Sequence, residues 1–156
     1  MNPIILHILH QALFGGLAAV GFAVLFNTPP RMLPLCFGAG ALALAVRTSG
    51  QDLGYSLAVA SFFAALLLAI VDKLWQEFPS PRGSVLAVSG SIPMIPGSLA
   101  AKVFMSVFAF LRTGKSVGTD ATIATWDNML MLIFTLGAIG TALALPSLVP
   151  PVKQEA

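Results

Sequence analysis

Five long apolar stretches, separated by prolines, glycines and isolated charges, set the pattern of this chain. The first, Ile4 to Phe26, has 23 residues without a charge. As a helix it reaches about 34 Å, enough to cross a hydrocarbon core of about 30 Å. A secretory leader would carry a cation ahead of its apolar run, and the first one here is Arg31, so the stretch reads as a retained span. Asn27-Thr28-Pro29-Pro30 ends it, because proline lacks the amide donor and clashes with the preceding turn. Fifteen uncharged residues, Met32 to Val46, lie between Arg31 and Arg47. They reach only about 22 Å, so the polar flanks snorkel or neighbouring helices shelter this span. Leu53 to Val71 forms a third span of 19 residues, with Tyr55 and Trp75 near its ends as interfacial anchors. Gln76 to Gly83, with Pro79 and Pro81, reads as a loop.

The fourth stretch, Ser84 to Leu111, holds 28 residues interrupted only by Lys102. One straight helix of that length would run about 42 Å. Its centre is Ile92-Pro93-Met94-Ile95-Pro96-Gly97-Ser98, and two prolines followed by a glycine do not continue a regular helix. The pattern predicts a half-helix, an unwound link and a second half-helix starting near Gly97. Arg112 to Asp120 is a polar loop, and Asn128 to Leu145, introduced by Trp126, is the fifth span. The predicted fold is all-α: a polytopic integral membrane protein of about five transmembrane helices in one domain, 1–156. Its spans are about 4–26, 32–46, 53–71, 84–111 (broken near 92–98) and 126–145, with a short tail at 146–156.

Small residues recur four apart, as in Gly15-Ala19-Ala23, Ala41-Ala45, Ser61-Ala65-Ala69, Gly137-Thr141 and Gly140-Ala144. Such faces let membrane helices approach closely. Composition agrees with a membrane solvent. The chain is 57% hydrophobic with 14 charged residues, where a soluble domain of this length would hold roughly 39. Eight cations form no basic stripe, so nucleic acid is not an expected partner. Arg47, Arg112 and Lys115 on one side against Arg31, Lys73, Arg82 and Lys153 on the other give no orientation by the positive-inside rule. The lone cysteine, Cys36, sits in an apolar run and offers neither a disulfide nor a thiolate metal site.

No phosphate-binding glycine loop, metal-ligand spacing or nucleophile elbow occurs, so no enzyme, metal or cofactor is expected. His7 and His10, three apart near the start of the first span, read as solvated side chains. The broken segment carries the chemistry. A half-helix beginning near Gly97 presents free amides and a partial positive charge, which suit a carboxylate if that end lies near mid-membrane. Ser98 fits there as an N-cap or a hydroxyl donor. Ser98, Lys102 and Ser106 share one helix face, and a lysine in that setting belongs against protein or water. The competing reading makes 99–111 an interfacial helix with Lys102 snorkelling and Pro93–Gly97 a plain turn. Asn128, with Thr135 two turns deeper, is a further polar candidate, whereas Asp127 and the Asp72-Lys73 pair read as interfacial.

Two motifs carry a resemblance. Phe22–Arg31, FAVLFNTPPR, followed about sixty residues later by Ile92–Ala100, IPMIPGSLA, resembles the threonine/serine exporter (ThrE) family, in particular its short YjjB-like subunits of five spans. The resemblance covers nearly the whole chain. It implies export of small carboxylates, threonine and serine or dicarboxylates such as succinate, across a bacterial inner membrane. It also implies a hetero-oligomer with a larger YjjP-like membrane subunit. By that likeness Phe26, Asn27, Pro29 and Arg31 carry the first motif, and Pro93, Pro96, Gly97 and Ser98 the second. The expected substrate contacts are Pro93, Pro96, Gly97, Ser98, Lys102 as counter-charge, and Asn128. The alternative is a non-transporting membrane scaffold or stabilising subunit, in which the prolines and Gly97 form only a packing kink.

Overall fold

The computed structural model describes residues 3–76, 85–113 and 119–148. Of the expected loop Gln76 to Gly83, Gln76 still belongs to a helix and the remainder lies outside the described residues, as do most of the loop between Arg112 and Asp120 and the tail from 149 onward. Six α-helices are described: α1 Pro3–Leu25, α2 Leu33–Asp52, α3 Leu57–Gln76, α4 Val85–Ser91, α5 Gly97–Thr113 and α6 Thr119–Ala144. Short 3-10 turns occupy Pro30–Met32, Ile92–Met94 and Leu145–Leu148, and no strand occurs among the described residues. Four helices are long and apolar enough to cross a membrane, and the bent pair Val85–Met94 with Gly97–Arg112 makes a fifth crossing if it counts as one span. The all-α, multi-pass reading therefore holds, including the break in the fourth segment.

Two helices are longer than the charge pattern suggests. The second span does not stop at Arg47, because α2 continues to Asp52. Its 20 residues reach about 30 Å, so the shortness inferred from the uncharged run disappears. The sixth helix begins at Thr119, ahead of Trp126. Aqueous or protein-lined helix ends tolerate charges that a lipid-facing turn does not.

α1 and α2 pack along their length, α2 also touches α3 and α4, α3 packs on α6, and α5 packs on α6. Small side chains do the packing. Gly15, Gly16, Ala19 and Ala23 of α1 are buried against Cys36, Ala39, Gly40 and Ala43 of α2. A Cβ added at Gly15 would lie 2.8 Å from the Gly40 carbonyl oxygen, and one at Gly40 would collide with Ala19 and with the Gly15 carbonyl. Large apolar side chains such as Phe14, Leu17, Phe63, Phe104 and Phe134 point outward. Small inside and large outside is the arrangement a lipid solvent permits, since burying Leu or Phe against another helix gains little over burying it in acyl chains.

The small-residue stripes divide accordingly. Gly15-Ala19-Ala23 and Ser61-Ala65-Ala69 are buried, whereas Ala41-Ala45 is only half-buried. On α6 the expected stripe faces outward: Gly137, Gly140, Thr141 and Ala144 are exposed, and Thr135, Ile139 and Ala142 are buried instead.

The segment Phe26–Arg31 is a helix terminator. Asn27 adopts φ 55°, the left-handed conformation that asparagine tolerates better than most residues. Its N–H donates to the Val24 carbonyl at 2.9 Å and that of Thr28 to Ala23 at 3.0 Å, the paired bonds of a Schellman cap. Pro29 and Pro30 then prevent resumption of α1 and set the 3-10 turn that opens α2. Phe26, Asn27 and Arg31 are exposed and Pro29 is half-buried. Gly54, at φ 91°, ends α2 in the same way, with bonds from Gly54 N–H to Gln51 and from Tyr55 N–H to Gly50.

Asp72 and Lys73 are not a simple interfacial pair. Asp72 is buried and its carboxylate accepts the Ala87 N–H at 3.3 Å, tying the end of α3 to the first turn of α4. Lys73 donates to the Pro146 carbonyl at 2.8 Å and joins α3 to the turn after α6.

Two packing variants and two capping variants test this arrangement by thermal unfolding of the chain in detergent, followed by tryptophan fluorescence. Gly40→Val should lose about 1–3 kcal/mol through forced separation of α1 and α2. Gly137→Ala, whose added Cβ meets nothing within 4 Å, should stay within about 0.5 kcal/mol. Asn27→Val should cost about 1–2 kcal/mol from its left-handed backbone, and Asn27→Gly should not. Equal stability of the two Asn27 variants would remove the capping role.

Candidate functional site

Proline at position 96 denies the Ile92 carbonyl its helical donor, and the chain tightens instead, with Ile95 N–H bonding to Ile92 at 3.0 Å. Ile95 then turns extended, at ψ 123°. The helix resumes at Gly97 with Pro96 in the N-cap position: the Pro96 carbonyl accepts from both Leu99 and Ala100 N–H at 3.0 Å. The axis bends by 53° between the two halves. Ser98 is thus not the N-cap. It stands at the second helical position, where the backbone N–H has no intrahelical acceptor.

The bend also takes the Met94 carbonyl out of a helical ladder. Its donor comes from another helix. Arg47 of α2 donates from Nη1 to the Met94 oxygen at 2.6 Å. Met94 itself is fully buried, so this bond pins the break against α2.

Beside that bond lies a cavity of about 540 Å³. Its walls are His7 and Gln11 from α1, Leu44, Arg47, Thr48, Gln51 and Asp52 from α2, and Pro93 with Ile95–Ser98 from the break. His7 Nδ1 approaches Asp52 Oδ1 to 3.7 Å. His10, one turn further, instead packs its ring on Phe14, with centroids 4.6 Å apart. Arg47 lies five residues from the end of α2, about 8 Å of helix rise, and His7 a similar distance into α1. The cavity therefore sits toward the end of the bundle where α1 begins and α2 ends, not at mid-length.

The expected site residues separate into groups. Pro93, Pro96, Gly97 and Ser98 line the cavity together. Lys102 is exposed on α5 and lies outside this lining, as does the half-buried Asn128 of α6. Phe26, Asn27, Pro29 and Arg31 join the opposite ends of α1 and α2, a full helix length away. Thr135 is fully buried with its hydroxyl donating to the Met131 carbonyl at 2.7 Å. Asp127 is exposed. A smaller, mostly apolar crevice of about 220 Å³ runs between α5 and α6, and includes Ser106 and Trp126.

Arg47, Thr48 and Gln51 escaped the reading of the sequence because the span was ended at its first charge, while Gln11 was not singled out and His7 was read as a solvated side chain. A signal was present. Leu44, Arg47, Thr48 and Gln51 recur at helical spacing and share one face, and His7-Gln11 repeats that spacing on α1. Polar residues that keep a helical period past the end of an apolar run mark a helix that continues into a wet cavity.

No solved structure matches the chain. A model of the family described as threonine/serine exporter, ThrE, matches residues 11–149, which takes in every wall of the cavity except His7, and the chain belongs to that family of transporters.

Proposed function

We propose that this multi-pass membrane protein is one membrane half of a secondary exporter for small carboxylates, with the substrate carboxylate held at the break between α4 and α5. The substrates are threonine/serine-type amino acids or dicarboxylates such as succinate. The site of action is a bacterial inner membrane, with a larger homologous YjjP-like subunit as partner.

One observation carries this reading: Arg47 is a cation on a membrane-length helix whose hydrogen bond goes to a neutral carbonyl, and among the described residues no carboxylate lies within ion-pair distance of it. A guanidinium offers five N–H donors in a planar fork that matches a carboxylate, so the bond to Met94 leaves donors for a ligand. A charge half-buried among apolar helices is costly without a partner. The first-turn amides of α5 add donors of the same sign beside it. The counter-charge expected from Lys102 is assigned to Arg47, because Lys102 and Asn128 do not line the cavity.

A second reading is favoured by the same bond. If Arg47 only satisfies the Met94 carbonyl, the break is a packing device and the chain a scaffold for a partner that holds the pathway.

Export of labelled threonine, serine and succinate distinguishes the two, in cells lacking their own exporters. The chain alone, the chain with the larger subunit, and the pair carrying Arg47→Gln or Lys102→Ala are compared. Losing a charge-assisted hydrogen bond of about 1.5–3 kcal/mol should reduce flux roughly 10- to 100-fold in Arg47→Gln at unchanged protein level. Lys102→Ala should keep flux within about twofold, the range of a surface charge change. Full flux in Arg47→Gln removes the site from the break. Reduced assembly with unchanged flux per complex supports the scaffold.

A further inference from the structure

The cavity contains a second charged feature that carboxylate binding does not use. Asp52 is the last residue of α2, where its carboxylate faces the negative end of the helix dipole and gains from a cation beside it. Its neighbour is His7, at 3.7 Å between Oδ1 and Nδ1. That separation is too long for a hydrogen bond, so the two attract only when His7 carries a proton, and the carboxylate keeps its lone pairs for another donor. Both side chains are partly open to the cavity, His7 at 51% and Asp52 at 27% exposure.

We propose that Asp52 accepts the ammonium group of an α-amino acid in this cavity and that protonated His7 competes with that group for it. The proposal rests on the reading of the cavity as the substrate site. The charged and titratable groups lining it are His7 from α1 and Arg47 and Asp52 from α2, and the turn at 93–98 brings none. With His7 neutral, Arg47 and Asp52 present one positive and one negative charge, the complement of a zwitterion. In an α-amino acid the nitrogen stands only about 2.5 Å from the carboxylate carbon. Arg47 and Asp52 are five residues apart, about 7.5 Å along α2, with the amide and hydroxyl of Gln51 and Thr48 between them on the same wall. A zwitterion held between them keeps its carboxylate toward the break and its ammonium toward Asp52. With His7 protonated, Asp52 already has its cation. An incoming ammonium then displaces the imidazolium, and His7 returns its proton to water: His7-H⁺ and the free amino acid become neutral His7, the bound amino acid and a released proton.

The sign follows from that balance. The substrate-bound form holds fewer protons, so binding strengthens as pH rises and weakens as His7 charges. Threonine should therefore bind more weakly in mildly acidic than in mildly alkaline buffer, by roughly tenfold, the size of one charge-assisted contact. A dicarboxylate, which has no ammonium to place on Asp52, should not lose affinity toward acid.

The test is calorimetric binding of threonine to the chain assembled with its larger subunit in lipid nanodiscs, from mildly acidic to mildly alkaline pH and in two buffers of different ionisation enthalpy. The buffer pair counts protons. The unaltered chain should release protons on binding below neutrality and bind more weakly there. His7→Gln should bind threonine with the high-pH affinity throughout and release none, whereas Asp52→Asn should bind weakly at every pH. An unchanged pH slope in His7→Gln, or unchanged affinity in Asp52→Asn, overturns the competition. Arg47→Gln separates the two levels of the argument. Threonine binding that depends on Arg47 but not on pH overturns this inference and leaves the carboxylate site standing. Threonine binding indifferent to Arg47, or absent from the unaltered pair, overturns the site itself and the inference with it.

Discussion

A carbonyl oxygen inside a membrane protein needs a donor, and at Met94 its own helix cannot supply one. Proline 96 and the 53° bend remove the ordinary ladder. The Arg47 guanidinium fills the gap at 2.6 Å. Much else depends on that bond. It holds the broken segment against α2, keeps a cation beside the first turn of α5, and leaves a polar cavity between three elements that are otherwise apolar. The donor that completes the backbone is also the group with the fork to receive an anion. On the proposed function, a structural role and a binding role fall to this one side chain.

That placement requires α1 and α2 to lie backbone to backbone. Gly15 and Gly40 leave no room for a Cβ, and the close approach brings the face bearing His7 and Gln11 beside the face bearing Arg47, Thr48 and Gln51. Gly90 does the same for α4, where an added Cβ would come within 3.0 Å of Leu68 and 3.1 Å of Ala39. The interior is thus built from residues too small to hold it by burial alone. Shape, backbone satisfaction and a few polar ties, among them Asp72 to Ala87 and Lys73 to Pro146, set the arrangement.

The two motifs on which the sequence resemblance rests have different physical roles. Asn27 and the prolines after it terminate one helix and begin the next, and they sit at the far ends of α1 and α2 from the cavity. The Pro93–Ser98 motif forms a wall of the cavity itself. Gly97 is not required by crowding, since a Cβ there would meet nothing within 4 Å. Its bare backbone leaves the first turn of α5 open toward the cavity.

The sequence by itself determined the membrane class, the approximate number of crossings and the break at Pro96, because each follows from local facts: apolar length, charge density and the missing proline amide. It also placed Pro93, Pro96, Gly97 and Ser98 together, since they are neighbours in the chain. It could not tell a charge that ends a helix from one carried on within it, and so Arg47 was left in a loop and α2 was cut short. Nor could it choose among cations. Lys102 is nearest to Gly97 along the chain, but it is exposed on α5, while Arg47, fifty residues away in sequence, reaches the break. The union of His7, Arg47 and Asp52 in one cavity was decided only by tertiary structure. It depends on two helices crossing at glycines and a third segment bending toward them, which is long-range geometry that no local pattern encodes.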